Sequence, residues 1–367
     1  MTKLRDVRTS SIQAFAYQLF KFPLNLVALH CNEMKNKLLQ VLGCPECHGA
    51  LELIAKEFME GDEIITGLLG CHECGNRWPI KSGIPRFVES DNYASSFGYQ
   101  WNKFKKVQID SMNGVAQSER RLHAESEWKN EWTSEEWVLD VGCGAGRFLE
   151  VASRDNCEVV GVDISNAVDA AAEMLRERNN VHLVQASIFA LPFRDGVLDV
   201  CYCIGVIQHT PDPSLALSSM PRVLKARGKL AVTIYECKKF TLLNSKYLFR
   251  HVTRWLNPKI LLALIYCMMP ILWPLTEVLF RLPVLGRLFR FLIPIANYVE
   301  KPELSWKQRY QWAVLDTFDM LAPHYDQPQK EADVVNVLKD AGVDQIRRLN
   351  NPGLNVVGQR NSNVFML

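Results

Sequence analysis

The stretch Val138-Leu-Asp-Val-Gly142-Cys-Gly144-Ala-Gly146 leads from an apolar strand through a glycine turn into a helix. Glycine lets the backbone turn tightly and approach a ligand closely, and the first turn of a helix offers unpaired N–H groups. The string alone is a weak signal, because a tight strand-to-helix turn without a ligand can contain the same glycines. It therefore predicts a strand–turn–helix unit whose ligand, if any, must be identified from the surrounding residues.

An acidic residue at the end of the next strand narrows the choice of ligand. Asp163 closes Glu158-Val-Val-Gly-Val-Asp163, 21 positions after Gly142. A carboxylate at this place can accept hydrogen bonds from both hydroxyls of an adenosine ribose. NAD and S-adenosylmethionine both contain that ribose, but dinucleotide folds favour G-x-G-x-x-G, and here Asp140 precedes G-x-G-x-G. Arg147 stands where a dinucleotide turn has its last glycine, so the spacing favours S-adenosylmethionine.

Strands and helices alternate after residue 136. We expect strands at Trp137–Val141, Glu158–Asp163, Val181–Ala186, Val197–Ile204 and Lys229–Tyr235, with helices from Arg147, over Ala167–Arg178 and after Pro213. Such alternation predicts an α/β fold with a parallel sheet. Near the end of the chain, Gln345–Leu349 and Asn355–Gln359 flank an Asn-Pro-Gly turn and are typical of a final antiparallel pair.

Four of the eleven cysteines have the spacing of metal ligands. Cys44-Pro-Glu-Cys47 and Cys71-His-Glu-Cys74 each present two thiolates on one tight turn, and together they can form the tetrahedral sulfur shell of a structural zinc site. A degenerate site or a redox pair remains the alternative. Because the chain does not begin with a secretory-type apolar run, the cysteine count favours a reducing cytoplasm over a disulfide scaffold.

Two resemblances follow from these motifs. About fifty residues around the cysteines resemble the zinc-ribbon module of the tRNA-methyltransferase activator type, which also occurs fused in front of methyltransferase domains. The Asp-x-Gly-x-Gly-x-Gly string resembles motif I of class I S-adenosylmethionine-dependent methyltransferases, and this likeness covers residues 137–236 closely and 301–360 more loosely. It implies a Rossmann-like sheet with an antiparallel last strand and methyl transfer from S-adenosylmethionine.

The resemblance also implies a cofactor site. The Gly142–Gly146 turn and Asp140 would face the methionine part, Asp163 the ribose, and Ser187 with Ile188 the adenine. Ser187 departs from the family pattern, which usually has Asp there. The full set of expected cofactor-binding residues is Asp140, Gly142, Cys143, Gly144, Gly146, Asp163, Ile164, Ser187, Ile188, Gly205 and Gln100.

Candidate catalytic residues are less specific. Methyl transfer is an in-line displacement, so the enzyme mainly aligns the reactants and removes a proton where one must leave. His209 follows the fourth strand, and Asp319 and Tyr325 belong to a polar cluster that also contains Asp316, His324 and Asp326. A structural histidine and a solvated helix end are the alternatives. Residues 97–104, which include Gln100, resemble the lid helices of relatives.

Residues 238–299 form an apolar and basic insertion. They contain nine Lys and Arg and one acidic residue, Glu277, so the segment carries +8 and the rest of the chain −6, although the total is only +2. The longest apolar run, Ile260–Leu275, has sixteen residues and two prolines, short of the ~20 that a spanning helix needs. An interfacial membrane contact, a soluble cap over the site and an oligomer contact are the three alternatives.

The predicted domains are an apolar helical segment at 1–36, the zinc ribbon at 37–90, a helical lead-in at 91–136, the core at 137–237 and 301–367, and the helical insertion at 238–300. We predict an S-adenosylmethionine-dependent methyltransferase with structural zinc that acts on a small, hydrophobic or lipid-linked acceptor in the cytoplasm, at the inner face of a membrane if the insertion contacts lipid. The alternatives are an RNA methyltransferase and a non-catalytic cofactor-binding or activator protein. The acidic ribbon argues against a nucleic-acid partner. The oligomeric state and the acceptor atom stay open.

Overall fold

The structure is a computed structural model that describes residues 34–60, 63–89, 92–129 and 131–362. Most of the predicted apolar segment at 1–36 lies outside the described residues. In the described part, two hydrophobic layers cover the two faces of a central sheet, and a third cluster joins the insertion to the helices near the site.

The N-terminal module is a four-stranded antiparallel sheet in the order β1-β2-β3-β4. Its strands are β1 (Leu51–Glu60), β2 (Glu63–Cys71), β3 (Arg77–Lys81) and β4 (Ile84–Pro85). The first cysteine knuckle lies before β1, and the second begins at Cys71, the last residue of β2. We call this module the ribbon.

The ribbon is attached to the edge of the central sheet by backbone hydrogen bonds. The N–H of Phe87 donates to the carbonyl of Gln185 over 2.8 Å, and the N–H of Gly43 donates to the carbonyl of Pro192 over 2.9 Å. The Arg86 guanidinium bonds the side chains of Gln185 and Asp169. Edge strands leave unpaired backbone groups, so the ribbon covers an edge that would otherwise be open.

The central sheet has seven strands in the order β10-β11-β9-β8-β5-β6-β7. They are β5 (Trp137–Val141), β6 (Glu158–Asp163), β7 (Val181–Gln185), β8 (Leu198–Ile204), β9 (Leu224–Ile234), β10 (Val343–Arg348) and β11 (Leu354–Arg360). Strand β11 is antiparallel to both of its neighbours, and the pairs among β5 to β9 are parallel. This confirms the predicted α/β fold with an antiparallel last strand.

Three short helices lead into this sheet, and four helices pack against it. The lead-in helices are α1 (Ser95–Phe104), α2 (Asp110–Asn113) and α3 (Gln117–Ser126). The sheet helices are α4 (Arg147–Ala152), α5 (Ala167–Leu175), α6 (Pro213–Ser219) and α11 (Glu331–Asp340). Strand β9 begins at Leu224, five residues before the predicted Lys229, because a bulge with positive φ at Arg227 lets pairing with β8 continue across it.

The insertion is helical. It contains α7 (Ser245–Thr253), α8 (Pro258–Leu279) and α9 (Leu285–Leu292), and α10 (Trp306–Leu321) follows it. Helix α8 is longer than the predicted apolar run because Asn257 caps its start and both prolines lie within it. Among the described residues it is the one helix long and apolar enough to cross a membrane by length and composition, and 39% of its most apolar window is buried inside the protein.

The order of the strands fixes the place of a ligand site. The chain leaves β5 toward β6 and β7, then returns to place β8 on the other side of β5. In open α/β sheets ligands bind outside the carboxyl ends of the strands at such a reversal. The glycine turn that follows β5 and the residues that follow β8 therefore meet at one crevice.

Candidate functional site

The turn after β5 needs glycine at three places. Gly142, Gly144 and Gly146 have φ of 80°, 53° and 86°, a region that side-chain-bearing residues rarely adopt. A Cβ at Gly142 would lie 2.4 Å from a methyl of Val206, and one at Gly146 would lie 2.7 Å from a methyl of Leu175. The turn is thus closely packed as well as strained for any other residue.

Asp163 is fixed by the turn that it faces. One carboxylate oxygen accepts the N–H of Gly144 over 3.0 Å, and the other accepts the N–H and the hydroxyl of Ser165 over 2.8 and 2.7 Å. Burial raises the pKa of Asp163, and these hydrogen bonds oppose that rise. The carboxylate is therefore held in one orientation at the end of β6.

A cavity of about 740 Å³ opens at this crevice, within the roughly 300–1,000 Å³ typical of small-molecule sites. Its wall brings together residues from the glycine turn, the ends of β6 and β8, the lid helix α1 and helix α10. The predicted site residues that line it are Gln100, Gly142, Cys143, Gly144, Asp163, Ile164, Ile188, Gly205, His209 and Asp319.

Two predicted cofactor residues are buried in the framework away from the cavity surface. Asp140 lies inside β5, paired in register with Gly161 and Tyr202 on its two sides. Burial and the charge of Asp163 raise its pKa well above the usual range, and its Oδ2 has no hydrogen-bond partner. Gly146 starts α4 and packs against α5. Both residues support the turn from inside the protein, and the contact of Asp140 with the methionine part of the cofactor stays a prediction.

Ser187 and Tyr325 also do not line the cavity. The Ser187 hydroxyl accepts the N–H of Phe189 over 3.2 Å and so caps the short turn that follows β7. The Tyr325 ring packs against Tyr93 at a centroid distance of 5.8 Å. The contacts of Ser187 with adenine and of Tyr325 with the acceptor stay predictions, and in the structure each side chain contacts another residue of the protein.

His209 has one free ring nitrogen. Its Nδ1 lies 3.0 Å from the carbonyl oxygen of Tyr325. A carbonyl oxygen only accepts hydrogen bonds, so Nδ1 carries a proton, and the neutral ring then has its lone pair on Nε2. Nε2 is buried without a hydrogen-bond partner, and the ring lies between Phe97 and Tyr235 at 5.1 and 5.6 Å. The backbone of Tyr325, rather than its hydroxyl, thus orients a basic nitrogen in the cavity wall.

Gln100 links the lid helix to α10. Its side-chain N–H donates to Asp319 over 3.3 Å, while its carbonyl oxygen is buried without a partner. In the same helix the Trp101 indole covers the glycine turn, because a Cβ on Gly144 would lie 3.0 Å from the indole nitrogen. The lid helix therefore supplies both a cover and an unsatisfied acceptor to the cavity.

Two arginines that were not predicted as site residues, Arg147 and Arg121, line the cavity together with Asp316 of the predicted polar cluster. Arg147 begins α4, and Arg121 on α3 pairs with Glu125 over 2.8 Å. Burial and the neighbouring Asp319 raise the pKa of Asp316 to about 7, against the opposing effect of the two arginines. Burial, with Arg121 nearby, lowers the pKa of Arg147 to about 9. Arg147 directly follows the glycine turn, and that position was the one available signal.

The four cysteine sulfurs form a candidate metal centre. All four Sγ atoms lie within 4.8 Å of one another, with Cys44–Cys74 at 3.6 Å and Cys47–Cys71 at 3.4 Å. A tetrahedral Zn²⁺ with Zn–S bonds of about 2.3 Å separates its sulfurs by about 3.8 Å. The donor set and its spacing therefore fit zinc.

Two protein families match the chain in the regions just described. Residues 139–232 match the methyltransferase domain family, and residues 35–83 match the Trm112p-like protein family. The chain contains a methyltransferase domain. This domain is of the class I type, and the Trm112p-like module in front of it carries the cysteine cluster.

Curated relatives align with this methyltransferase domain. An O-methyltransferase of Aspergillus nomiae is 32% identical over 100 residues, which cover 26% of this chain and 44% of the relative. A ubiquinone biosynthesis O-methyltransferase of Nitrosomonas europaea is 33% identical over 98 residues, covering 26% and 42%. One of Pseudomonas fluorescens is 28% identical over 124 residues, covering 32% and 53%. The chain thus spans about half the length of these relatives.

Two solved structures are similar to this chain at lower sequence identity than the curated relatives. An S-adenosylmethionine-dependent methyltransferase of Aquifex aeolicus gives a TM-score of 0.39 at 17% identity, covering 70% of this chain and 97% of that one. A Haloferax volcanii complex of the Trm112 methyltransferase activator with a methyltransferase gives 0.41 at 12% identity, covering 72% and 97%.

Proposed function

We propose that this chain is an S-adenosylmethionine-dependent methyltransferase that acts on a small, hydrophobic or lipid-linked acceptor. One observation carries the proposal: the glycine turn donates its Gly144 N–H to Asp163 in the wall of a cavity that is also lined by His209, whose Nε2 has no hydrogen-bond partner. Support also comes from the methyltransferase domain and from relatives named O-methyltransferases.

The residues of the cavity fit S-adenosylmethionine. Asp163 can accept the ribose hydroxyls, and Ile164 and Ile188 offer apolar walls for the purine. The buried carbonyl oxygen of Gln100 lacks a donor, and a cationic or N–H group of a ligand would satisfy it.

The chain's own residues account for the remaining chemistry. When bound, S-adenosylmethionine supplies a methyl group on a positively charged sulfur. We assign His209 as the base: its Nε2 takes the proton of an acceptor hydroxyl as the acceptor oxygen forms its bond to the methyl carbon, and the carbon–sulfur bond breaks. The bond from Nδ1 to the Tyr325 carbonyl keeps the ring in place for this step. The lid residues Phe97 and Trp101 exclude water from the crevice.

The nature of the acceptor is proposed from two features. Several relatives of the methyltransferase domain are named ubiquinone biosynthesis O-methyltransferases. The part of the cavity wall near His209 includes Phe97, Tyr235 and Met320, which suit a hydrophobic or aromatic acceptor. Residues Ala296 and Tyr298, at the end of the insertion, also line the cavity.

The ribbon is proposed to hold a structural Zn²⁺ through Cys44, Cys47, Cys71 and Cys74. The ten cysteines of the described residues form no disulfide with one another, which suits a reducing compartment such as the cytoplasm. The hydrogen bonds of the ribbon to residues 185–194 of its own chain disfavour the activator alternative, because the groups that bond this sheet are not available to another protein.

Isothermal titration with S-adenosylmethionine tests the cofactor part. We expect binding by the native protein and a loss of at least about tenfold in affinity for Asp163→Asn, because charge-assisted hydrogen bonds contribute ~1.5–3 kcal/mol. Asp333→Asn, on an exposed position of α11, is the matched control. Undiminished binding by Asp163→Asn would contradict the site.

Transfer of an isotope-labelled methyl group tests the acceptor part. The protein is incubated with labelled S-adenosylmethionine and a total lipid extract, and the products are separated by mass spectrometry. We expect label in a hydrophobic product. Label found only in water-soluble products or in RNA would overturn the acceptor class while leaving cofactor binding intact.

A further inference from the structure

We propose that the insertion docks this protein flat on a membrane surface that carries anionic lipids. The surface in question, called here the apolar face, consists of exposed large side chains on α7, α8 and α9 and in the turns after α7. Its members are Leu248, Phe249, Val252, Trp255, Ile260, Leu264, Ile271, Leu275, Val278, Leu285, Leu288 and Leu292.

Helix α8 contributes a side to the apolar face that has no partner among the described residues. It buries one stripe, with Leu261, Ile265 and Met269 packed into the cluster of α10. The opposite side is equally apolar, and Ile271 remains 73% exposed. A helix with apolar side chains on every side is normally buried on every side. The exposed side of α8 therefore fits an apolar environment that the described residues do not supply.

Within residues 238–299, nine of the ten charged residues counted as Lys, Arg, Asp or Glu are basic. The one acidic residue between 238 and 299, Glu277, is buried and paired with Arg309 and Arg281. Four exposed cations of the same segment have no acidic partner among the described residues: Lys239, Arg254, Lys259 and Arg287. The segment therefore exposes cations beside apolar side chains and no carboxylate, which is complementary to anionic lipid headgroups.

A second copy of the chain fits this surface less well. A symmetric pairing of two apolar faces would bring two segments of +8 together. Like charges across an interface oppose association, whereas an anionic bilayer neutralises them. The charge pattern thus selects lipid over self-association.

The packing of α8 also favours an orientation flat on the bilayer surface over one that spans the bilayer. The buried stripe of α8 includes Trp273, Thr276 and Glu277, and Asn297 bonds the hydroxyl of Thr276 over 2.9 Å. Pulling α8 across a bilayer would break this contact and expose Glu277 to lipid. Charged groups at the bilayer centre are costly, so the exposed half of α8 enters the interface while the other half stays on the protein.

The docked face is connected to the cavity. The Arg250 guanidinium of α7 donates to the carbonyls of Met320 and Pro323 over 3.0 and 2.7 Å, at the end of the helix that carries Asp316 and Asp319. Entry of a lipid-linked acceptor from the bilayer rests on the proposed function, whereas the docking itself does not.

Vesicle flotation tests the docking with the full chain. Vesicles of phosphatidylcholine mixed with phosphatidylglycerol are compared with vesicles of phosphatidylcholine alone. We expect at least about tenfold more protein on the anionic vesicles at low salt, with release as salt is raised. Equal binding to both vesicle types, or none to either, would overturn the proposal, and so would a stable dimer in light scattering that loses its dimeric state on mutation of the face.

Two double variants identify the surface. Leu248→Ser with Ile271→Ser removes apolar contacts with lipid, and Arg254→Glu with Arg287→Glu reverses the charge at two exposed cations. Each double variant should weaken binding to anionic vesicles about tenfold or more. Phe58→Ser with Lys56→Glu changes an exposed apolar residue and a cation on the ribbon and should bind like the native protein. Titration with S-adenosylmethionine on every variant keeps this result separate from the proposed function. Unchanged flotation of both face variants would refute the assignment.

Discussion

At the residue scale, the orientation of His209 makes a sharp prediction. In His209→Asn the side-chain amide can still donate to the Tyr325 carbonyl, but the basic nitrogen is gone. We expect the rate of methyl transfer to fall by about 10²–10⁴, the usual contribution of a general base. The rate is measured with labelled S-adenosylmethionine, and its dissociation constant should change little. An unaltered rate would show that the acceptor loses its proton without this residue.

Asp316 makes a prediction about pH. Its pKa of about 7, against an ordinary 3.8, means that the folded protein keeps a proton that the unfolded chain releases. Stability from this group is present below pH 3.8 and is lost as pH rises to about 7. Asp316→Asn cannot ionise, so its gain in Tm over the native protein should be larger at pH 8 than at pH 5. Asp340→Asn, at an exposed position, serves as the control, and its difference in Tm from the native protein should be the same at pH 8 and at pH 5.

At the element scale, the ribbon should depend on its metal. Four thiolates hold the ends of β1 and β2, and small modules with this ligand set fold with the metal. We expect one zinc per chain by metal analysis. A strong chelator or Cys44→Ser should lower Tm and speed amide exchange in β1 to β3. Cys267→Ser, an exposed thiol outside the cluster, should leave both unchanged. Slow exchange in a metal-free ribbon would contradict the structural role.

The bounds of elements with a continuous apolar run were predicted well. The bounds of elements whose ends depend on contacts with neighbouring elements were not. β5 and β6 have the predicted bounds because each is a continuous apolar run ended by a turn or a carboxylate. The early start of β9 depends on a bulge that only pairing with β8 reveals. The length of α8 likewise exceeds the apolar run, since packing on α10 supports the last turn and its Glu277.

At the scale of the whole molecule, charge separation bears on the RNA alternative. The chain outside residues 238–299 carries −6, and the ribbon is acidic. We expect fluorescence anisotropy with a labelled tRNA, at roughly 0.15 M salt, to give binding no tighter than the ~10⁻⁴–10⁻⁶ M of non-specific contacts. The double variant Arg254→Glu with Arg287→Glu should abolish this weak, non-specific binding to tRNA. Tighter binding that survives this variant would revive the RNA hypothesis.

The sequence by itself determined the α/β alternation, the glycine turn, Asp163 and the four cysteines, because each depends on local backbone geometry or on a short fixed spacing. The tertiary structure decided which of these residues reach the cavity. Asp140 is buried between two strands, and the Ser187 hydroxyl caps a local turn. Arg147, Arg121 and Asp316 line the cavity. The physical reason is that burial and electrostatic environment depend on contacts between distant segments, and these contacts form only when the sheet, the lid and the insertion come together.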